Sequence, residues 1–145
     1  MIKKYFCPTT QTNFASSALL VLRLIAGTAF IIHGQGKIQA PFGWLPINAP
    51  IQIPPIFQFL AATSEFVGGI AWILGLLTPL ASFGMSITML VAASVHMTVF
   101  KDPFVNLSGG TSYEPALGYF AIALVLMAVG PGKFSLDRII FGERK

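Results

Sequence analysis

Between Phe57 and Leu77 the chain is apolar except for one charged side chain, Glu65. The run is near the ~20 residues that a helix needs to cross a bilayer. A carboxylate inside such a helix costs at least about 2.5 kcal/mol, so chains that keep one pair it or use it. Three more segments are comparably apolar: Ala18–Ile38, Pro79–Phe100 and the shorter Tyr113–Val129. Of the 145 residues 54% are hydrophobic and 10% charged, where a soluble domain carries about 25% charged residues. The expected fold is therefore all-α, a single integral-membrane domain over residues 1–145 with four transmembrane helices.

The boundaries follow from local chemistry. Pro54-Pro55 leads into a second helix expected over 56–77. Thr78 is expected as N-cap of the third, with Pro79 at its first helical position. Gly130-Pro131-Gly132 stops the fourth. Ser135 can cap a short tail helix over 135–141, whose Leu136, Ile139, Ile140 and Phe141 form an apolar side for the membrane surface. The first loop, Gln39–Pro55, is Pro-rich yet apolar and holds Trp44, which suits packing at the membrane interface. Lys3, Lys4, Lys133, Arg138, Arg144 and Lys145 lie towards the two ends, and only Lys37 and Lys101 flank the opposite side. The positive-inside rule then puts both termini in the cytoplasm; the expected location is a bacterial inner membrane.

The single cysteine, Cys7, excludes an internal disulfide and dithiol–quinone chemistry within this chain. It can be inert or acylated near the membrane. The net charge of +4 is a topology signal, and no basic patch interleaved with aromatics points to nucleic acid. No Walker loop, nucleotide fingerprint or nucleophile elbow occurs, and no HxxxH or ExxH spacing supports a metal site. Haem ligation by the two histidines from different helices is a weak alternative. The residues themselves specify no cofactor.

Depth, at about 1.5 Å per residue, collects the polar groups. Glu65 lies roughly 12 Å below the outer end of its helix, with His33, Lys37, His96 and Glu114 in the same outer half. Arg23 lies roughly 8 Å inside the cytoplasmic end of the first helix. Arg23, Ala26, Phe30, His33 and Lys37 recur at steps of three and four and share a face; so do Glu65, Gly68, Gly69, Trp72 and Gly75. The glycines let a neighbouring backbone approach, so Glu65 is expected beside a tight helix contact, paired with Arg23 or His33. Each group also has a structural use. Arg23 can snorkel, Glu114 suits a helix N-terminus, His96 can be an interior hydrogen-bonded residue, and Glu65 can be an ion-pair partner or a protonated acid.

The order of motifs resembles the DoxX family of small four-helix membrane proteins. The matching stretches are Leu22-Arg23-Leu24 with Gly27, His33-Gly34 with Lys37, Glu65 with Gly68-Gly69, and Leu74-Gly75-Leu76-Leu77-Thr78. Gly109-Gly110 with Tyr113-Glu114, Gly130-Pro131-Gly132 and Ser135-Leu136-Asp137 complete the set. Pro79 follows Thr78 where family members often carry Arg. The resemblance implies a component of a membrane oxidoreductase system; relatives named DoxD are linked to thiosulfate oxidation coupled to quinone. On that reading Glu65, His33 and His96 are the proton-exchanging candidates, and Arg23, Phe30, Lys37, Trp72 and Glu114 are candidate quinone contacts. A quinone would be a substrate, and the electron donor a partner chain. The alternatives are a non-catalytic scaffold or assembly subunit of a larger complex and a small-solute or ion pathway, in a homo-oligomer or with other membrane proteins.

Overall fold

The computed structural model describes residues 6–142, and its regular elements are all helices. They are α1 (Asn13–Gln39), α2 (Pro55–Leu74), α3 (Thr78–Val95, continued by a π turn over His96–Phe100), α4 (Glu114–Val129) and α5 (Leu136–Phe141). The lysines and arginine at 3, 4, 144 and 145 that entered the topology argument lie outside the described residues.

Three helices are long and apolar enough to cross a membrane: α1, α2 and α3 with its π turn. At 16 residues α4 is shorter, about 24 Å against a hydrocarbon core of ~30 Å. Neighbours in sequence pack in order, α1 on α2, α2 on α3 and α3 on α4. Phe30 of α1 closes the ring by meeting Tyr119 of α4 edge-on, 4.8 Å between centroids. Inside lie Phe30, Trp72, Met85, Met89, Ala123 and Leu126. Outside, Val21, Ile25, Ile32, Leu60, Leu80, Ile87 and Leu90 are exposed, as a lipid-facing surface requires.

Of the glycines expected at a tight contact beside Glu65, Gly69 makes it, and its counterpart on α1 is Gly27. A Cβ on Gly27 would stand 2.7 Å from the Gly69 carbonyl oxygen, and one on Gly69 would stand 2.8 Å from that of Gly27. At Gly34 an added Cβ would meet the Phe66 nitrogen at 2.6 Å. Small residues let α1 and α2 touch backbone to backbone along several turns, which is how helices associate where lipid removes the hydrophobic drive.

Several boundaries differ from expectation. The first helix begins at Asn13, not Ala18, because Thr12 caps it through the Ala15 N–H and Ser17 bonds the Asn13 carbonyl. Polar residues extend the helix beyond the apolar run. The second helix stops at Leu74, not Leu77. Gly75 adopts a left-handed conformation (φ 63°), with its N–H on the Trp72 carbonyl and that of Leu76 on Ala71, a Schellman stop. Thr78 is not the N-cap of α3: Leu77 holds that place and the Thr78 hydroxyl has no hydrogen-bond partner. The cap comes from Asp137, whose carboxylate accepts from the N–H groups of Leu77 (2.6 Å) and Thr78 (2.8 Å).

That contact also corrects the tail. Ser135 does cap α5, accepting from the Arg138 N–H. The helix does not merely rest on a membrane surface, since Asp137 is fully buried under the α2–α3 turn and its own N–H bonds the Gly75 carbonyl at 2.8 Å. Ile139 and Ile140 remain exposed. Cys7 bonds the Phe141 carbonyl and Thr9 bonds the Val129 carbonyl, so the segment 7–9 packs on α5 and the end of α4. This tail end of the bundle gathers the start of α1, the α2–α3 turn and α5. The opposite loop end carries the connections 40–54 and 101–113.

Candidate functional site

Glu65 meets Lys37. The ammonium lies 2.6 Å from one carboxylate oxygen and 2.7 Å from the other. The Glu65 side chain is 4% exposed and that of Lys37 29%. Gly34 sits level with Phe66 across the α1–α2 contact, so Lys37 starts about 3 Å, roughly half a turn, above Glu65 and reaches down. Its four-carbon stem bridges that step while the ammonium replaces water around the buried carboxylate.

The first loop covers this pair. The Lys37 ammonium stands 4.8 Å from the centre of the Trp44 ring, a cation–π contact. Trp44 is fixed by its indole N–H on the Gln58 carbonyl (2.9 Å). The Gln58 side chain accepts from the Leu45 N–H (3.0 Å) and donates to the Ile53 carbonyl (2.8 Å), and Phe42 stacks on Phe59. Through these contacts the loop packs over the pair. Gln58, which ties it down, carried no sequence signal beyond being a polar residue in an apolar helix.

Arg23 is not the partner of Glu65. It is 1% exposed at the tail end, where its guanidinium donates to the carbonyls of Trp72 (2.7 Å), Ile73 (2.9 Å), Pro131 (2.6 Å) and Phe134 (3.0 Å). The stop at Gly75 leaves the last carbonyls of α2 without helical donors, and a fork of N–H groups at a helix C-terminus satisfies them and suits the dipole. Asp137 is the opposite charge that acts on Arg23 through space. The side chain does not snorkel to an interface.

Of the other residues singled out, Phe30 and Trp72 are core, meeting edge-on at 5.5 Å, with the indole N–H of Trp72 on Ser82. His33 is exposed and touches the Phe30 ring without reaching Glu65 in a hydrogen bond. Glu114 is exposed in the first turn of α4. His96 bonds Asp102 through Nδ1 at 2.6 Å, and Thr111 donates to the other Asp102 oxygen at 2.9 Å. Of the five groups expected together, then, only Lys37 and Glu65 meet in an ion pair among the described residues. Asp102 was missed because it stands in a loop without periodicity. No group of three or more His, Cys, Asp or Glu that could hold a metal occurs among the described residues.

A groove of about 460 Å³ opens towards lipid between α2 and α3. Leu60, Val67, Leu80, Phe83 and Ile87 line it, with Thr63, Ser64 and Thr88 as polar points, and the buried Thr63 hydroxyl has no hydrogen-bond partner. Gly68 borders this groove while Gly69 faces α1. None of His33, Glu65 or His96 lines it.

Apolar helices, a buried ion pair inside them and stitched ends define a multi-pass helical membrane protein. The DoxX family model matches residues 18–98, more than half of the chain, and the chain belongs to the DoxX family. It is 28% identical over 126 residues, covering 87% of this chain and 89% of the relative, to a Bacillus subtilis protein named "Putative oxidoreductase CatD". Over 125 residues it is 31% identical to an uncharacterized protein of Haemophilus influenzae, covering 85% and 90%. Over 123 residues it is 29% identical to "Inner membrane protein YqjF" of Escherichia coli, covering 84% and 91%. No solved structure matches the chain. Family, relatives and apolar helices together make this a multi-pass protein of the bacterial inner membrane.

Proposed function

We propose that this chain is a proton-handling component of a membrane oxidoreductase system, working on a membrane-soluble substrate of the quinone class. The observation that carries the reading is the Lys37–Glu65 pair: a carboxylate buried among apolar helices whose partner ammonium is itself part-exposed at the loop end. Such a pair links the apolar interior to the water-facing loop end, the place for a group that exchanges protons with a substrate. The name of the Bacillus subtilis relative supports redox chemistry. The lipid-facing groove between α2 and α3 suits an isoprenoid tail. With one cysteine, the chain has no dithiol of its own, so electrons come from a partner subunit.

The proposed topology has four spans and both termini in the cytoplasm. Lys133 at the tail end, bonded to Asn13, and Arg138 beside it fit the positive-inside rule. Reporter fusions at each loop test it; a tail found outside would reverse the assignment.

A second reading has a specific observation behind it. Contact to both Glu65 oxygens at short distance is also what a helix lock looks like. In that case the chain is a scaffold, and replacing Lys37 and Glu65 together by Met and Leu leaves function intact. The deciding experiment purifies the protein in mild detergent with whatever accompanies it, records the absorption spectrum and assays quinone-dependent turnover. No turnover and no quinone binding, alone or with partners, sinks the oxidoreductase reading.

A further inference from the structure

His96 stands where α3 widens from an α to a π geometry, at the boundary between the span and the loop 101–113. Its ring rests against Phe100, 5.5 Å between centroids, and its side chain is 30% exposed. Asp102 is held against it by the backbone. Lys101 is left-handed (φ 54°), which turns the chain back, and the Asp102 N–H donates to the His96 carbonyl at 2.9 Å. One carboxylate oxygen lies 2.6 Å from Nδ1, and the other accepts from the Thr111 hydroxyl. That hydrogen bond from His96 holds the Asp102 carboxyl below the ordinary carboxylate range, so it is ionised at neutral pH.

An ionised carboxylate only accepts. Nδ1 must therefore carry the hydrogen, and in the neutral ring the lone pair lies on Nε2. Nε2 has no hydrogen-bond partner among the described residues. Lys101 and Glu114, the other charged residues of this corner, are exposed and bond neither nitrogen; Glu65 is engaged by Lys37.

We propose that Asp102 and Thr111 are positioning residues that set His96 as a second proton-exchanging group at the loop end, separate from Lys37–Glu65 and acting through Nε2. Nε2 takes one proton from water, becomes N–H, and passes that proton to an oxygen of the substrate, in the oxidoreductase reading a quinone that has received its electrons from the partner subunit. The Nδ1 hydrogen stays on the ring, donated to Asp102, and loss of the Nε2 proton restores the neutral ring. The identity of the proton acceptor rests on the oxidoreductase reading; the tautomer does not.

The test uses the full chain in lipid nanodiscs with ¹⁵N-labelled histidine, His33 being assigned by His33→Gln. At a pH where the ring is neutral, wild-type His96 should give the Nδ1–H tautomer. In Asp102→Ala the signal should shift towards the Nε2–H form that an unconstrained imidazole favours, while His33 does not change. A wild-type His96 already in the Nε2–H form, or no shift in folded Asp102→Ala, overturns the proposal. Should Asp102→Ala fail to fold, Thr111→Val is read in the same way, with a partial loss of the Nδ1–H form expected and no loss overturning it. In a preparation that reduces quinone, His96→Gln should lower the rate about 100-fold or more, the scale of general acid–base catalysis; an unchanged rate overturns the proposal. A wild type that never turns over defeats the oxidoreductase reading, while the tautomer still decides the role of Asp102.

Discussion

Asp137 caps the helix that Thr78 begins. Its two carboxylate oxygens take the N–H groups of Leu77 and Thr78, and its own N–H returns a bond to the Gly75 carbonyl. A residue near the end of the chain thus supplies what a turn in the middle lacks. Arg23 completes the arrangement from α1 by taking the carbonyls on the other side of that turn. The stretches on which the family resemblance rests, Leu22-Arg23-Leu24, Leu74-Gly75-Leu76-Leu77-Thr78, Gly130-Pro131-Gly132 and Ser135-Leu136-Asp137, meet here. Their common reason is the satisfaction of polar backbone at one end of a bundle.

Asp137→Ala should therefore destabilise the protein by about 1–3 kcal/mol, because two N–H groups, that of Thr78 buried, lose their acceptor. Thermal unfolding in detergent measures the loss, and hydrogen exchange should quicken first at Leu77 and Thr78. Unchanged protection there would mean that another group caps α3.

Helix existence was legible because the apolar runs are long, and the α1–α2 contact in part, because Gly69 falls on the expected face of α2, while Gly27 and Gly34, which meet it from α1, were not singled out by the spacing. What depth and periodicity could not supply was reach. Arg23 and Glu65 share facing stripes, but the ~10 Å between their depths exceeded what carbonyls nearby made unnecessary. Lys37 was read as one of several outer-half polar groups because its Cα is near the helix end, although its flexible stem lets the ammonium reach down to Glu65. Asp102 and Asp137 lie in a loop and a short tail, where no period marks a side chain as buried or bonded. The site was thus half visible: Glu65 stood out as the anomaly, and its true partner was named only as a member of a wider cluster.

Lys37→Met should leave Glu65 buried without its counter-charge and cost about 3–5 kcal/mol. Glu65→Leu alone should also destabilise, by stranding a part-buried ammonium, and the double variant should recover much of the loss. A double-mutant cycle on detergent unfolding reads this directly. Additive losses would mean that the two side chains do not act as a pair.

Gly27→Ala should open the α1–α2 contact, since the added carbon would meet the Gly69 carbonyl at 2.7 Å and backbone cannot yield as a side chain can. Overpacking of this kind costs typically about 1–3 kcal/mol. Gly36→Ala, on the same helix with open space around its Cα, is the control and should be neutral or slightly stabilising. Equal effects at the two positions would remove close packing as the reason for the glycine.

Asp102 sets a pH dependence with a definite sign. Its carboxyl is held below the ordinary range, chiefly by the His96 hydrogen bond and secondarily by Thr111. A group whose folded value is depressed contributes stability that is fully present above the unfolded value, about pH 4, and is lost as pH falls through the folded one. The loop 101–113 should thus stay anchored at neutral and mildly acidic pH and loosen only below about pH 4. A ¹³C titration of the labelled Asp102 carboxyl should give a midpoint below that of an exposed aspartate, and His96→Ala should move it back up. A wild-type midpoint at the ordinary value, or one indifferent to His96→Ala, would mean that the short contact between these side chains does not persist in the membrane.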